Sequence, residues 1–361
     1  MIAVDPYSYH FLRDQLLCKP PQVWDGRGLP IYEALVRIQG GGKTVHTSDY
    51  LSAHPGISEP VDFYSLGMLS HRELRGRPNV RFKAFVVHEP PVFAPRLYRI
   101  LPELTSVFER VYVHNLSGDC YSLKGVDQSK LRKLYFPIPF NHVLMPFWAR
   151  QDRIKKLVII NSLQNPWIYR CVDMVGVQSA RGLRLNTLSE IFDSSFTGEE
   201  FYSYRIHAVA ALAGLSAIDL YGMHWRLALS PRIVWPTYLL NYRRLMSVYK
   251  GPTESKFATL SKYAFSLVIE NTAMKSCLSE KLFDCFYAGS IPVFVGPADV
   301  ADFLPPESFI DARRIGDWRD VWTYLQSLNP RQIENFREAG RAVFTSGRAQ
   351  PFFDFYNQVF S

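Results

Sequence analysis

Four polar residues of types that bind ligands interrupt an otherwise apolar part of the chain. The stretch YAFSLVIENTAMKSCLSEKLFDCFYAGSIPVFVGP, residues 263–297, begins and ends like buried strands but contains Glu270, Asn271, Glu280 and Lys281. Such groups are costly to bury unless something satisfies them. A cation in the first turn of a helix also opposes the helix dipole, which an anionic ligand would offset. The pattern therefore predicts a polar site that binds an anion.

A strand and a helix would position these residues. The apolar run 265–269 predicts a strand that ends at the acidic residue, and the next pattern predicts a helix that begins near Ser279 and ends at Gly289. In parallel sheets ligands bind beyond the carboxyl ends of strands, where helix N-termini offer free N–H groups to anions. The four residues are expected at such an edge.

The rest of the chain alternates strand and helix patterns in two blocks, which predicts an α/β fold. VDFYSLGM, RFKAFVVHEPP and RVYVHN predict strands in the first block, with a helix over RLYRILPELTSVFERV. KKLVIINS, AIDLYG, AFSLVIEN and IPVFVG predict strands in the second block. A proline-rich connection at 135–156 separates the two. We expect one domain over 1–150, a second over 151–340, and a final helix at 341–361 that packs back on the first domain.

Composition limits the function classes. The formal charge of +8 favours anionic partners, but no basic run is long enough for a nucleic-acid arm, so nucleic acid is not expected as a partner. Five scattered cysteines without a CxxC pair predict neither a disulfide framework nor a structural zinc site. The N-terminus does not resemble a signal peptide, and no apolar stretch is long enough to span a membrane. We expect a soluble cytoplasmic protein, with peripheral contact at the inner face of the membrane left open.

One stretch resembles a known family. ENTAMKSCLSEKLFDCFYAGSIPVFVGP, followed by DFLPPESFID, resembles the motif of the α1,3/α1,4-fucosyltransferases of glycosyltransferase family 10. Upstream, YSYRIHAVAALAG, IDLYGMHW and YKGPTESKFATLSKYAF occur in the order found in that family, so the resemblance covers about residues 155–325. It implies a bacterial-type soluble member with the GT-B architecture, two Rossmann-like domains facing across a cleft. The donor GDP-fucose would bind the C-terminal domain, and an oligosaccharide or glycoconjugate acceptor the first.

The resemblance also implies roles for particular residues. Arg205 and Lys281 match the family's diphosphate-binding cations, and HEPP resembles an acidic element that makes Glu89 the candidate general base. The full donor-binding set implied by this match is Tyr204, Arg205, Asn271, Ser279, Glu280 and Lys281. The implied reaction is inverting transfer of L-fucose from GDP-β-L-fucose, of the α1,3 type, with neither a cofactor nor a metal ion.

The chemistry asks for the same residue types without the family. Sugar transfer from a nucleoside diphosphate builds negative charge on the leaving phosphate, which two cations can stabilise in place of a divalent ion. The sequence contains no DxD triplet to bind such an ion. The acceptor hydroxyl needs a carboxylate within hydrogen-bond reach. If Glu89 does not serve, Asp62 and Glu103 are the next carboxylates to consider.

Alternatives remain open at this point. Cys277 stands where many family members have a tyrosine, which leaves the identity of the sugar open, and another GDP-activated sugar such as GDP-arabinose is the alternative donor. A basic nucleotide-binding module without catalysis is a different class of function. Two of these residues also have structural alternatives. Arg205 could neutralise Glu199 and Glu200, and Glu89 could be an ordinary loop carboxylate before two prolines.

Overall fold

The structure of the chain is a computed structural model. It describes residues 1–21, 25–165, 168, 171–173, 175–176, 184–192, 199–226 and 235–361. In these ranges the chain forms two six-stranded sheets in which every strand pair is parallel. The predicted α/β architecture of two Rossmann-like domains is confirmed.

The first sheet has the strand order β2-β1-β3-β4-β5-β6. Its strands are Ile2–Asp5 (β1), Val45–Thr47 (β2), Val61–Ser65 (β3), Val80–Val86 (β4), Arg110–Val113 (β5) and Leu131–Lys133 (β6). The strands β1, β3 and β4 are largely buried, because helices cover both faces of a parallel sheet. β4 directs the chain toward the cleft and ends two residues before His88.

The helices of the first half are mostly short. They are Leu29–Gly40 (α1), Asp49–Ala53 (α2), His71–Leu74 (α3), Pro95–Arg99 (α4), Leu101–Val107 (α5) and Met145–Trp148 (α6). The single helix predicted over RLYRILPELTSVFERV is wrong, because the chain breaks at Ile100 into α4 and α5. Pro102 explains the break, since proline has no N–H to continue a helix and fits only in a first turn.

The second sheet has the order β12-β11-β10-β7-β8-β9. Its strands are Ile154–Ile160 (β7), Ile218–Tyr221 (β8), Tyr249–Gly251 (β9), Tyr263–Ile269 (β10), Ile291–Val295 (β11) and Ile310–Asp311 (β12). β10 is buried along its whole length between β7 and β11. The central strands β7 and β10 are neighbours, and the chain runs from β7 to β8 on one side of them and from β10 to β11 on the other. Parallel sheets bind ligands at the point where the strand order reverses in this way.

The helices of the second half surround this sheet. They are Leu188–Ile191 (α7), Tyr202–Gly214 (α8), Pro236–Val248 (α9), Lys256–Leu260 (α10), Lys281–Ala288 (α11), Val300–Phe303 (α12), Trp318–Ser327 (α13) and Pro330–Thr345 (α14). The residues of α11 after Lys281 are all buried, and the helix ends at Gly289 with φ of 69°. In that backbone conformation glycine carries no Cβ penalty.

The end of the chain returns to the first domain. Two short helices follow α14, Gln350–Phe353 (α15) and Phe355–Val359 (α16), where one helix was expected. Phe355, Tyr356 and Val359 of α16 join the apolar core that includes β1 and β3. The C-terminal segment thus packs in the core of the first domain.

Direct contacts also join the two domains beside the cleft. The Lys275 N–H donates to Asp119 Oδ2 at 2.7 Å, and Lys133 Nζ donates to the Ser276 carbonyl at 2.7 Å. These contacts hold the loop between β10 and α11 against the first sheet. Across the described part of the chain, no helix combines the length and the apolar character that a membrane span requires.

Candidate active site

A cavity of about 460 Å³ lies at the carboxyl ends of strands from both sheets. Its wall includes Glu89 and His114 from the first domain and Glu270, Asn271 and Lys281 from the second. Pockets that hold small organic ligands have volumes in this range. The position is also the one that α/β sheets use for ligands. We therefore treat this cavity as the candidate active site.

The Glu270 carboxylate is buried at the end of β10 and joins that strand to α11. Ser279 donates to it through its backbone N–H at 2.9 Å and its hydroxyl at 2.8 Å. Lys281 Nζ donates to Glu270 Oε2 at 3.0 Å. Three donors therefore satisfy a carboxylate that would otherwise be costly to bury. This explains how the apolar stretch tolerates its polar residues.

Lys281 and Glu280 form the N-terminus of α11 in the cavity wall. Burial alone would lower the pKa of Lys281, but the Glu270 and Glu280 carboxylates raise it above its ordinary value. Burial alone would raise the pKa of Glu280, but the charges of Lys281 and Lys256 lower it. Both side chains are therefore charged at neutral pH. The cation lies where free helical N–H groups also favour an anion.

Arg205 lies beneath the cavity and is not among its described wall residues. Its Nη2 donates to the carbonyls of Ile269 and Glu270 at 2.8 and 3.2 Å, and to Asn271 Oδ1 at 3.2 Å. The side chain is only 2% exposed. This geometry orients Asn271, which does line the cavity. Direct contact of Arg205 with a diphosphate stays a prediction.

Tyr204 lies away from the cavity. It is 38% exposed, and its ring centroid is 6.1 Å from that of Trp318. Neither residue is among the described wall residues. The predicted residues that the structure does bring together in the wall are Glu89, Asn271, Ser279, Glu280 and Lys281. Their roles stay predictions, but they share one cavity.

Glu89 faces these donor-side residues from the loop after β4. It is half-buried, and burial raises the pKa of its carboxyl to about 7. The positive charge of Lys281 opposes this shift, and the negative charge of Glu280 adds to it. A general base works best when its pKa lies near the working pH. Glu89 has that property, and it interacts electrostatically with the α11 N-terminus.

Two histidines and a tyrosine hold the Glu89 loop. His88 Nδ1 lies 3.3 Å from the Leu66 carbonyl, and its Nε2 lies 2.9 Å from the Tyr356 hydroxyl. The carbonyl requires a proton on Nδ1, so Nε2 accepts from the tyrosine. His114 Nε2 in turn donates to the His88 carbonyl at 2.7 Å. Burial lowers the pKa of His88 to about 4 and that of His114 to about 3, so both are neutral.

A second constellation in the wall was not predicted from the sequence. Asp25 and Arg27 of the first domain lie in a short loop before α1. Asp25 Oδ1 accepts from the Ser255 hydroxyl at 3.0 Å, and its Oδ2 accepts from the Lys256 N–H at 2.5 Å. Lys256 Nζ donates to Asp284 Oδ2 at 2.6 Å. The glycines in DGRG, just before an apolar helix pattern, were the available signal.

The two alternative bases lie elsewhere. Asp62 forms an ion pair with Arg81 at 2.8 Å. Glu103 is paired with Arg72 at 2.6 Å and Arg75 at 2.9 Å. Neither carboxylate lines the described cavity. Among the described wall residues, the carboxylates of the first domain are Asp25 and Glu89.

No group of three or more His, Cys, Asp or Glu side chains that could hold a metal ion occurs among the described residues. Cys277 is a free, buried thiol in the cavity wall. Burial raises its pKa far above the ordinary thiol value, so it remains protonated. The second domain thus contributes the Lys281 cation and the Asn271 amide to the wall. The first domain contributes Glu89, a carboxyl whose pKa is raised to about 7. That arrangement can bind an anionic leaving group and remove a proton from an incoming hydroxyl.

Comparison with known proteins agrees with the family resemblance. Residues 197–337 match the family model described as glycosyltransferase family 10 (fucosyltransferase) C-term. The chain is 42% identical over 69 residues to an alpha-(1,4)-fucosyltransferase of Arabidopsis thaliana. It is 33% identical over 73 residues to the 4-galactosyl-N-acetylglucosaminide 3-alpha-L-fucosyltransferase 9 of Mus musculus. The resemblance noted in the sequence is confirmed.

The sequence similarity is confined to part of each protein. The aligned segments cover 19% and 20% of this chain, and 17% and 20% of the two relatives. The structural similarity extends further. A solved glycosyltransferase from Rickettsia africae superimposes with a TM-score of 0.51 over 100% of this chain and 98% of that one, at 8% identity. At 8% identity the match is evidence for the fold alone. It confirms the predicted GT-B architecture.

Proposed function

We propose that this chain, which carries the C-terminal domain of glycosyltransferase family 10 at residues 197–337, is a GDP-fucose-dependent fucosyltransferase. It would transfer L-fucose from GDP-β-L-fucose to a hydroxyl of a glycan acceptor, forming an α1,3 linkage. One observation carries the proposal: Glu89 and Lys281, from different domains, line the same cavity, and the lysine's charge acts on the carboxyl. A sugar transferase needs this pairing of a base with a cation for the leaving group.

The donor half of the site would act on the diphosphate and the sugar. Lys281 and the N–H groups at the start of α11 would bind the phosphate oxygens. Asn271 and Glu280 would bind hydroxyls of the ribose or fucose. Glu270 and Arg205 would fix the positions of Lys281 and Asn271 through the hydrogen bonds described above. This division leaves the cation free to gain interaction as charge develops on the leaving phosphate.

The proposed chemical step is a single displacement. The Glu89 carboxylate takes the proton of the acceptor hydroxyl, and the resulting oxygen forms a bond to the anomeric carbon. The bond between that carbon and the β-phosphate oxygen breaks, and its electron pair leaves with GDP. Attack opposite the leaving group inverts the β-linked sugar to an α-linkage. Protein cations, rather than a divalent metal ion, would stabilise the departing diphosphate.

GDP release with a panel of acceptors tests the proposal. The purified chain would be mixed with GDP-fucose and N-acetyllactosamine or related glycans, with GDP-arabinose as the competing donor, and the product linkage would be determined by NMR. We expect acceptor-dependent GDP release with GDP-fucose and an α-linked product. Faster turnover with GDP-arabinose would assign the other sugar. GDP binding without turnover on any acceptor would favour the non-catalytic nucleotide-binding module.

A further inference from the structure

Three cations line the described cavity wall, and they differ in their bonding partners. They are Arg27, Lys256 and Lys281. Lys256 is paired with Asp284 at 2.6 Å and Lys281 with Glu270 at 3.0 Å. Arg27 is exposed and forms no ion pair or hydrogen bond with any described residue. Its charge is therefore available to a ligand.

The net charge of the cavity wall favours an unpaired cation if the ligand is an anion. Five carboxyl groups face the three cations: Asp25, Glu89, Glu270, Glu280 and Asp284. A diphosphate entering this cavity would meet a wall that is acidic on balance. The lysines already share their charge with carboxylates, and Arg205 is buried below with its Nη2 bonded to carbonyl groups. An additional, unneutralised cation would offset that repulsion.

The loop that carries Arg27 is fixed against the donor domain. Asp25 accepts hydrogen bonds from Ser255 and from the Lys256 N–H, at the start of α10. Gly26 has φ of 78°, and a Cβ there would lie 2.8 Å from Pro139 Cβ. A larger residue could not hold the same path. A first-domain arginine is thus positioned by contacts with the second domain.

Arg27 also lies within electrostatic reach of the α11 N-terminus. Burial opposes ionisation of Glu280, but Lys281, Lys256 and Arg27 together hold the pKa of that carboxyl below its ordinary value. The positive charges of Arg27 and Lys281 therefore both act on the Glu280 carboxyl, at the N-terminus of α11. A guanidinium can bind phosphate oxygens through two parallel N–H groups, which an ammonium cannot.

We propose that Arg27 of the acceptor-side domain is a second cation that binds the diphosphate of the donor, beside Lys281 of the donor-side domain. This rests on the proposed function, since it takes the cavity to be the nucleoside diphosphate site. The donor would then be held from both sides of the cleft. Loss of Arg27 would weaken diphosphate binding while leaving recognition of the nucleoside intact.

Calorimetry on the full chain tests this with two probes, GDP and guanosine. We expect Arg27→Gln to weaken GDP binding about ten- to hundredfold, as for loss of a charge-assisted hydrogen bond. Arg27→Lys should recover part of this loss. Guanosine affinity should change by less than about threefold, because guanosine has no phosphate. Arg331→Gln, which removes an exposed arginine on α14, controls for the change in net charge and should bind GDP like wild type.

Other outcomes separate the two proposals. Equal GDP affinity in wild type and Arg27→Gln would overturn the role of Arg27 and leave the fucosyltransferase proposal standing. Equal losses for GDP and guanosine would also overturn it, because the effect would not come from phosphate. Failure of wild type to bind GDP would overturn the proposed function itself. Thermal melting of each variant would show whether a lost affinity reflects unfolding.

Discussion

The acid side of the pH–rate profile should report Glu89. Burial raises the pKa of this carboxyl from an ordinary 4.5 to about 7, and a general base must be deprotonated to act. The active fraction therefore rises with pH through the pKa and is lost as the pH falls below it. We expect kcat/KM for the donor, which reports the free enzyme, to decline on the acid side with an apparent pKa of about 7.

The size of the decline distinguishes this base from an ordinary carboxylate. With a pKa of about 7, about nine tenths of Glu89 is ionised at pH 8, about a tenth at pH 6 and about a hundredth at pH 5. The rate should therefore fall roughly 90-fold between pH 8 and pH 5. A base with an ordinary pKa would lose only about a quarter of its activity over the same range.

Substitution of the two charged neighbours of Glu89 should shift the acid limb in opposite directions. A general loss of activity would lower the rate without shifting the limb. Lys281 lowers the pKa of Glu89 and Glu280 raises it. Lys281→Ala should therefore move the acid limb to higher pH, and Glu280→Gln should move it to lower pH. The measurement is initial GDP release between pH 5 and 9, with melting temperatures to confirm that each variant stays folded.

Replacement of Glu89 itself completes the test. Glu89→Gln keeps the shape of the side chain but cannot take a proton, so kcat should fall at least about 100-fold with little change in GDP affinity. Glu109→Gln is the matched control, because that glutamate is exposed and bonded to Lys83. A Glu89→Gln enzyme that keeps more than about a tenth of kcat, or keeps the same acid limb, would refute the assignment. Among the described wall residues, Asp25 would then be the remaining first-domain carboxylate to test.

Three further predictions follow from the same geometry. Lys281→Ala should weaken GDP binding about ten- to hundredfold by calorimetry, and should also destabilise the fold by about 3 kcal/mol, because it leaves Glu270 buried without its cation. Activity should persist in excess EDTA; complete loss that Mn²⁺ or Mg²⁺ restores would contradict the proposed leaving-group chemistry. Tyr356→Phe removes the donor to His88 Nε2, so kcat should fall about two- to tenfold while GDP affinity, measured by calorimetry, stays the same.

The sequence identified the parts of the site that adjacent residues build. β10 and α11 are encoded by an apolar run, a segment rich in polar side chains and an apolar helix pattern that ends at Gly289. The spacing of such local patterns is sufficient to place Asn271 and Lys281 at one edge of a sheet. The strands around Glu89 were readable for the same reason. Pro102 shows the limit of such patterns, because the apolar spacing predicts one helix and the proline divides it into α4 and α5.

The contributions of distant residues could not be read in this way. Asp25 and Lys256 meet at 2.5 Å although 231 positions separate them, and only the packing of two domains brings them together. Tyr356 reaches His88 across 268 positions for the same reason. The depth of Arg205 depends on how α8 packs against β10, which the helix pattern alone does not specify.

The position of Lys281 links donor binding to the strength of the base. The positive charge of Lys281 lowers the pKa of Glu89, and burial has the opposing and larger effect. A bound diphosphate would neutralise that charge and add negative charge nearby, so the carboxylate would hold a proton more tightly. Glu89 would then be a stronger base when the donor is present than when it is absent. In this arrangement the leaving group that Lys281 stabilises also strengthens the group that activates the acceptor, and transfer to the acceptor depends on both domains contributing to one cavity.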